Sequence, residues 1–149
     1  MRRHFGFQTV PIQKILGETI VEIIEPTGNN KGYGLAFLTS NNEVFRMVHH
    51  QDCCECVSIE SITGDLNDLK GNPILVAEES TNVDQEPKNS PDESHTWTFY
   101  KFATVKGWVD IRWYGSSNGY YSESVSFEMA EITLDEIENP KLLDGRLMW

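Results

Sequence analysis

The stretch Thr96-Trp97-Thr98-Phe99-Tyr100-Lys101-Phe102-Ala103-Thr104-Val105-Lys106-Gly107-Trp108-Val109-Asp110-Ile111-Arg112-Trp113-Tyr114 alternates large apolar with smaller or polar residues on either side of Lys106-Gly107. A period of two belongs to strands, so this segment reads as a β-hairpin. A two-residue loop at Lys106-Gly107 sets Val105 opposite Trp108, Phe102 opposite Ile111 and Tyr100 opposite Trp113. That register gathers Thr98, Tyr100, Phe102, Val109, Ile111 and Trp113 on one face. At the next turn, a two-residue Asn118-Gly119 loop would send Val125 and Phe127 to the face opposite Trp113. An odd loop from Ser117 to Tyr121 instead sets Trp113 against Val125 and Ile111 against Phe127. Burying a Phe-sized side chain is worth about 1.5–3 kcal/mol, which favours the odd loop. The expectation is a three-stranded antiparallel meander with Ile111, Trp113, Val125 and Phe127 buried together, and Arg112 and Ser124 on the other side. That other side displays Trp97, Phe99, Lys101, Asp110, Arg112, Tyr114, Ser124, Ser126 and Glu128. Such a mixture is either a solvated sheet face with cross-strand ion pairs or a recognition surface.

Upstream, the same reasoning places strands at Thr19–Glu25, Gly34–Thr39, Glu43–His49, Val57–Glu60 and Ile74–Glu79, with Ser40-Asn41-Asn42 as a hairpin turn. Gly64–Gly71 has an acidic first turn and a closing glycine, so one or two helical turns are expected there. Thr133 followed by Glu136 is a capping-box pattern, opening a second short helix that closes at Asn139-Pro140. Residues 80–94 are polar, hold two prolines and almost no apolar anchor, and are read as a mobile loop inside a single domain spanning 1–149. The fold class is therefore α+β and β-rich: antiparallel sheet meanders with two short helices.

A chain of 149 residues can bury roughly 70% of its unfolded surface, so neither disulfides nor a metal are required for folding. No apolar run approaches the ~18 residues of a membrane span, and the basic N-terminus lacks the apolar core of a secretory signal. A cytoplasmic protein that avoids membranes is expected. With 12 basic against 23 acidic side chains the net charge is −11, and a field of that sign repels polyanions, so direct nucleic-acid binding is not expected. A local basic pocket remains compatible with this charge.

Two constellations carry chemistry. His49-His50-Gln51-Asp52-Cys53-Cys54-Glu55-Cys56 is dense in groups that ligate metals or transfer protons. A zinc site needs a second ligand pair elsewhere, and the other histidines are His4 and His95, so the metal reading, with His49, His50, Cys53, Cys54 and His95 as its candidates, is the weaker one. No cofactor is called for, no disulfide is expected in a cytosolic setting, and Cys-His nucleophilic catalysis is opposed by adjacent strand residues pointing apart. The second constellation runs from Arg112 to Ser122, where Arg112, Tyr114, Ser117, Asn118, Tyr120 and Tyr121 surround Gly115 and Gly119. A rigid cationic fork, stacking rings and glycines that expose backbone N–H groups make this the expected ligand or partner site. Its bland counterpart is an aromatic hairpin tip packed on its own domain. The scattered carboxylates Glu60, Asp65, Asp68, Glu78 and Glu79 form a divalent-metal or general acid/base site if the sheet brings them together, and in a chain with 23 acidic residues coincidence explains them as easily.

The stretches His50-x-Asp52-Cys53-Cys54-Glu55-x-Val57-x-Ile59-Glu60, Gly64-Asp65-Leu66-x-Asp68-Leu69, Ala77-Glu78-Glu79, Thr96–Tyr100 and Arg112-Trp113-Tyr114-Gly115-Ser116-Ser117-Asn118-Gly119-Tyr120-Tyr121-Ser122 resemble a family of small uncharacterised proteins of tailed phages and prophages. The similarity covers roughly residues 32–130. What the resemblance implies is a setting, a viral accessory protein in the bacterial cytoplasm, and no activity or residue role.

The expected function is a non-enzymatic phage accessory protein that binds and neutralises a host factor in antiviral defence, its partner being a host protein or a small nucleotide ligand. An inhibitor mimicking DNA needs acidic rows on an exposed face; a sponge for a nucleotide signal needs Arg or Lys beside aromatics in a closed pocket. The alternatives are a small metal-dependent enzyme using the His49–Glu55 cluster and a virion component.

Overall fold

The computed structural model describes residues 6–84 and 94–147. Nine strands form in chain order: β1 (Gln8–Thr9), β2 (Ile20–Ile24), β3 (Gly34–Thr39), β4 (Glu43–Val48), β5 (Cys56–Thr63), β6 (Val76–Asp84), β7 (Ser94–Thr104), β8 (Gly107–Ser117) and β9 (Ser126–Glu131). They build two antiparallel sheets, ordered β1-β9-β4-β3-β2 and β5-β8-β7-β6. Consecutive antiparallel strands form the meanders β2-β3-β4 and β6-β7-β8, whereas the three-stranded meander expected over residues 96–131 does not form.

The sheets face one another across a core of aromatic and aliphatic side chains. Phe37 of β3 meets Phe102 of β7 edge-on at 5.3 Å, and Tyr100, Ile111 and Trp113 are buried against the same cluster. β3 is buried along its whole length because its two faces serve different layers. Leu35 and Phe37 point between the sheets, while Ala36 and Leu38 join Val44, Ala130, Leu143 and Leu147 beneath the C-terminal segment. That segment holds α1 (Leu134–Glu138), a 3-10 turn (Pro140–Leu143) and the one-turn α2 (Asp144–Leu147). The capping box at its start forms as read: the Thr133 hydroxyl accepts from Glu136 N–H at 3.2 Å, and the Glu136 carboxylate accepts from Thr133 N–H at 2.9 Å.

Four expectations need correction. The first hairpin turns at Val105-Lys106, with Thr104 opposite Gly107 and Tyr100 opposite Ile111. The displacement is by two in the pairing sum, so every side chain keeps its expected face, and Thr98, Tyr100, Phe102, Val109, Ile111 and Trp113 are all buried. Gly107 serves a close approach and not the turn: a Cβ there would lie 2.9 Å from Asp68 Oδ2. The Thr104 hydroxyl closes the earlier turn by accepting from Lys106 N–H at 3.1 Å.

Second, β9 does not pair with β8. It lies between β1 and β4 in the other sheet, and β8 pairs instead with β5, Ile59 opposite Trp113 and Ile62 opposite Ile111. Phe127 nevertheless belongs to one core with Ile111 and Trp113, Val125 packs against it, and Arg112 and Ser124 are exposed. Parity identifies the apolar residues that are buried, but in a two-sheet sandwich it cannot say from which side they arrive, and Glu128, expected on the exposed face, is buried against Arg46. Third, of the two expected helices only the one after Thr133 is α-helical; the other is a single 3-10 turn, Leu66–Leu69, capped by Asp65 accepting from Asn67 N–H at 2.9 Å. Its bonds close three residues on, Asp68 N–H to the Asp65 carbonyl at 2.9 Å and Lys70 N–H to the Asn67 carbonyl at 3.2 Å, the tighter 3-10 pattern. Fourth, Ser80–Asp84 and Ser94 are paired strand residues, Ser80 opposite Phe99, Asp84 opposite His95 and Ser94 opposite Ser117 of β8, because ladder bonding to a neighbouring strand supplies what their composition lacks. The rest of the expected loop, 85–93, lies outside the described residues.

Candidate functional site

The chain crosses from one sheet to the other between β4 and β5, and a cavity of about 620 Å³ opens at this crossing. Its wall takes Asn30 and Tyr33 from the segment before β3, Arg46 and Val48 from β4, residues of the 49–55 loop, and Cys56 and Val57 from β5.

β4 and β9 place Arg46 directly opposite Glu128. Both are buried, and the pair is extensively bonded: Arg46 Nε donates to Glu128 Oε1 at 2.9 Å, Nη2 lies 2.8 Å from the same oxygen, and Nη1 donates to the Leu147 carbonyl at 2.6 Å. The Phe7 ring covers the guanidinium at 3.7 Å. The other oxygen of Glu128 accepts from Ser126 Oγ at 2.9 Å and meets His50 Nε2 at 2.5 Å. Burial by itself would raise the Glu128 pKa, but His50, Arg46 and Ser126 together hold the carboxyl below its ordinary range.

His49 and Glu55 form a second buried pair. His49 Nδ1 lies 2.7 Å from the Ser124 carbonyl and Nε2 lies 2.7 Å from Glu55 Oε2. Both ring nitrogens are thus engaged within the protein, by a carbonyl and by a carboxylate, and neither is turned toward a metal. Glu55 also accepts from the N–H groups of Asp52 at 2.8 Å and Cys53 at 2.9 Å, while Gln51 Nε2 donates to the Glu55 carbonyl at 2.6 Å. Burial would raise the Glu55 pKa, but these donors outweigh it and hold it at about 2. The 50–55 loop is thus wound around one ionised side chain.

In that loop the adjacent Cys53 and Cys54 are joined by a disulfide, contrary to the expectation of none, and Cys56 is free and exposed. The expectation rested on a cytosolic setting, whereas neighbouring cysteines need no chain crossing to meet. His95 lies away from this loop, on the outer face of the second sheet, with its Nδ1 on the Tyr114 hydroxyl. Among the described residues no group of three or more His, Cys, Asp or Glu side chains is placed to hold a metal.

The expected site at 112–121 is divided by the structure. Arg112 and Tyr114 stand on the outer face of the β5-β8-β7-β6 sheet: Arg112 Nη2 donates to Glu60 at 2.7 Å with its guanidinium 5.2 Å from the Trp97 ring, and Tyr114 stacks on His95 at 5.7 Å. Ser117, Asn118, Tyr120 and Tyr121 belong to the strand end, and five residues of strand put Arg112 roughly 16 Å from Ser117. There the Asn118 side chain accepts from Tyr120 N–H at 3.0 Å, Tyr121 meets Tyr120 edge-on at 5.0 Å, and Tyr120 is 82% exposed. The loop is braced by buried Glu123, which accepts from Thr96 Oγ1 at 2.6 Å and from the Ser117 hydroxyl. Gly115 makes room for it, since a Cβ there would lie 2.9 Å from Glu123 Cβ.

Arg46 and Glu128 were not read as a pair by sequence reasoning, which set Glu128 on the exposed face of the meander, and Tyr33 and Glu123 were not singled out. The first two left a signal: Val44-Phe45-Arg46-Met47-Val48 and Ser126-Phe127-Glu128-Met129-Ala130 each hold one charge, of opposite sign, within an apolar strand. Charged residues are seldom buried unless paired, so two such strands are candidates to be neighbours.

No helix among the described residues is long and apolar enough to cross a membrane. No curated protein matches the chain, and no solved structure does. Residues 13–127 match the family model described as a domain of unknown function, DUF7448, and the chain belongs to that family.

Proposed function

We propose that this protein is a non-enzymatic accessory protein of a phage, acting in the bacterial cytoplasm, that neutralises host antiviral defence by sequestering a small nucleotide-like molecule in the β4–β5 cavity. The observation that carries this reading is the state of the cavity's acidic groups. A general base works best with a pKa near the operating pH, whereas Glu55, the carboxylate that lines the cavity, is held at about 2, and Glu128, bonded to the lining residues Arg46 and His50, lies below its ordinary range, each by hydrogen bonds within the protein. They organise the wall and do not exchange protons with a substrate. The cavity volume falls within the roughly 300–1,000 Å³ usual for small-molecule sites, and Arg46, His50 and the half-exposed Tyr33 ring supply the cation-beside-aromatic chemistry of a sponge. The metal-enzyme alternative loses His49 to its two acceptors. Protein purified from host cells and denatured for mass spectrometry of the released small molecules is expected to yield one bound species near stoichiometry, absent from a Tyr33→Ala variant. Conversion of that species by the protein would overturn the non-enzymatic reading.

A second reading, capture of a host protein, is favoured by the outer face of the β5-β8-β7-β6 sheet, where Trp108 and Phe99 are exposed beside Lys101 and Arg112. Aromatics and Arg are the residue types that dominate protein interfaces. Pull-down from host lysate with Trp108→Ala against Tyr33→Ala separates the two readings.

A further inference from the structure

We infer that the cavity ligand bears a phosphate, held by His50 and Arg46, with its ring on Tyr33; this deepens the sequestration reading and rests on it. The inventory of donors and acceptors in the wall is lopsided. Glu55 already faces the N–H groups of Asp52 and Cys53 and the His49 ring, and Glu128 already faces Arg46, His50 and Ser126. A cationic ligand would therefore have to displace existing partners from either carboxylate. Donor capacity, by contrast, is left over. A guanidinium has five N–H groups, and three contacts to Glu128 and Leu147 leave two on Arg46, which is only 8% exposed.

His50 supplies the second donor. Its Nε2 is oriented by Glu128 at 2.5 Å, its side chain is 64% exposed, and its Nδ1 has no partner among the described residues. A carboxylate on one ring nitrogen fixes the orientation of the other, the usual arrangement for a histidine that contacts a ligand. Toward a phosphate monoester Nδ1 either donates its own hydrogen or accepts one from the monoanion; in both cases one proton bridges the two groups. Each nearby carboxylate is already met by donors, Glu128 by Arg46 and Glu55 by the N–H groups of Asp52 and Cys53, so an anion in the cavity faces no bare carboxylate even though the whole chain carries −11. Tyr33, 47% exposed at the rim, is the ring available for stacking, and Cys56 is the remaining ionisable group of the wall.

The test is calorimetric titration of the full chain with adenosine monophosphate, adenosine and inorganic phosphate. The monophosphate is expected to bind at least about tenfold more tightly than the nucleoside, in line with charge-assisted hydrogen bonds. His50→Ala should erase that preference while leaving adenosine affinity unchanged. Tyr33→Ala should weaken both nucleoside ligands alike, by about fivefold or more, which is the range of ring stacking. His50→Gln, which keeps a donor toward Glu128, guards against a loss caused by misfolding, and both variants should melt within a few degrees of the parent. Equal affinity for nucleoside and monophosphate, or an unchanged preference in His50→Ala, overturns the phosphate clamp. A retained host molecule without phosphate does so as well, yet leaves sequestration standing. If nothing is retained from the host and none of the three probes binds, both readings fall.

Discussion

The cavity wall and the outer face of the β5-β8-β7-β6 sheet present the same kinds of side chain under opposite conditions. At the cavity, Arg46 of the wall and its partner Glu128 have side chains only 10% and 7% exposed, and each is bonded to further groups. On the outer face, Arg112 and Glu60 form an equally short pair at 2.7 Å, but at 45% and 39% exposure. Water competes for the second pair and not for the first, so similar geometry has different consequences. Buried charges must be satisfied by the fold, and they are therefore fixed in place; exposed ones can rearrange around a partner. A small rigid ligand suits the first region and a protein surface the second.

The largest expected effect tests the buried pair. Glu128→Ala leaves Arg46 without its counter-charge and should cost about 3–5 kcal/mol in urea denaturation. Replacing both partners with apolar residues of similar size, Arg46→Met with Glu128→Leu, should recover most of that loss. If Glu128→Ala proves as mild as Glu60→Ala, the contrast between the two regions does not hold.

Gly115→Ala is expected to come next. Its new Cβ would press on Glu123, within 2.9 Å of that residue's Cβ and 3.1 Å of its carbonyl, and overpacking of this kind costs about 1–3 kcal/mol. The 117–123 loop should loosen, read as faster amide exchange there than in β4.

The cavity loop should also set the acid limit of the fold. Glu55 has its native pKa lowered from 4.5 to about 2, so the unfolded chain binds more protons than the native one between these values. Its contribution is complete above about pH 4.5 and is lost as the pH falls toward 2, with Glu128 and Glu136 shifted in the same direction. Glu55→Gln should flatten the acid-unfolding profile in that window, followed by circular dichroism.

The smallest effects belong to the outer face and the hairpin tip. Arg112→Ala should cost about 0.2–1 kcal/mol, the range of an exposed ion pair, and Tyr120→Ala less than about 0.5 kcal/mol. If either abolishes ligand binding while the fold stays intact, the ligand site lies at 112–121 and the cavity assignment is wrong. Unchanged binding in both sharpens the division of roles.

Local pattern alone located eight of the nine strands, β1 excepted, as well as the capped helix after Thr133 and the buried set Tyr100, Phe102, Ile111, Trp113 and Phe127. These follow from periodicity and capping, which act within a few residues of chain and are written directly in the residue order. The sequence also marked the 49–56 stretch as rich in chemistry, and there its reading stopped. That Phe127 reaches Trp113 from the opposite sheet, and that Glu128 meets both Arg46 and His50, depend on which strands become neighbours. Strand pairing joins residues more than eighty positions apart, through a balance of core burial and charge satisfaction summed over both sheets, and no local window of sequence contains that sum.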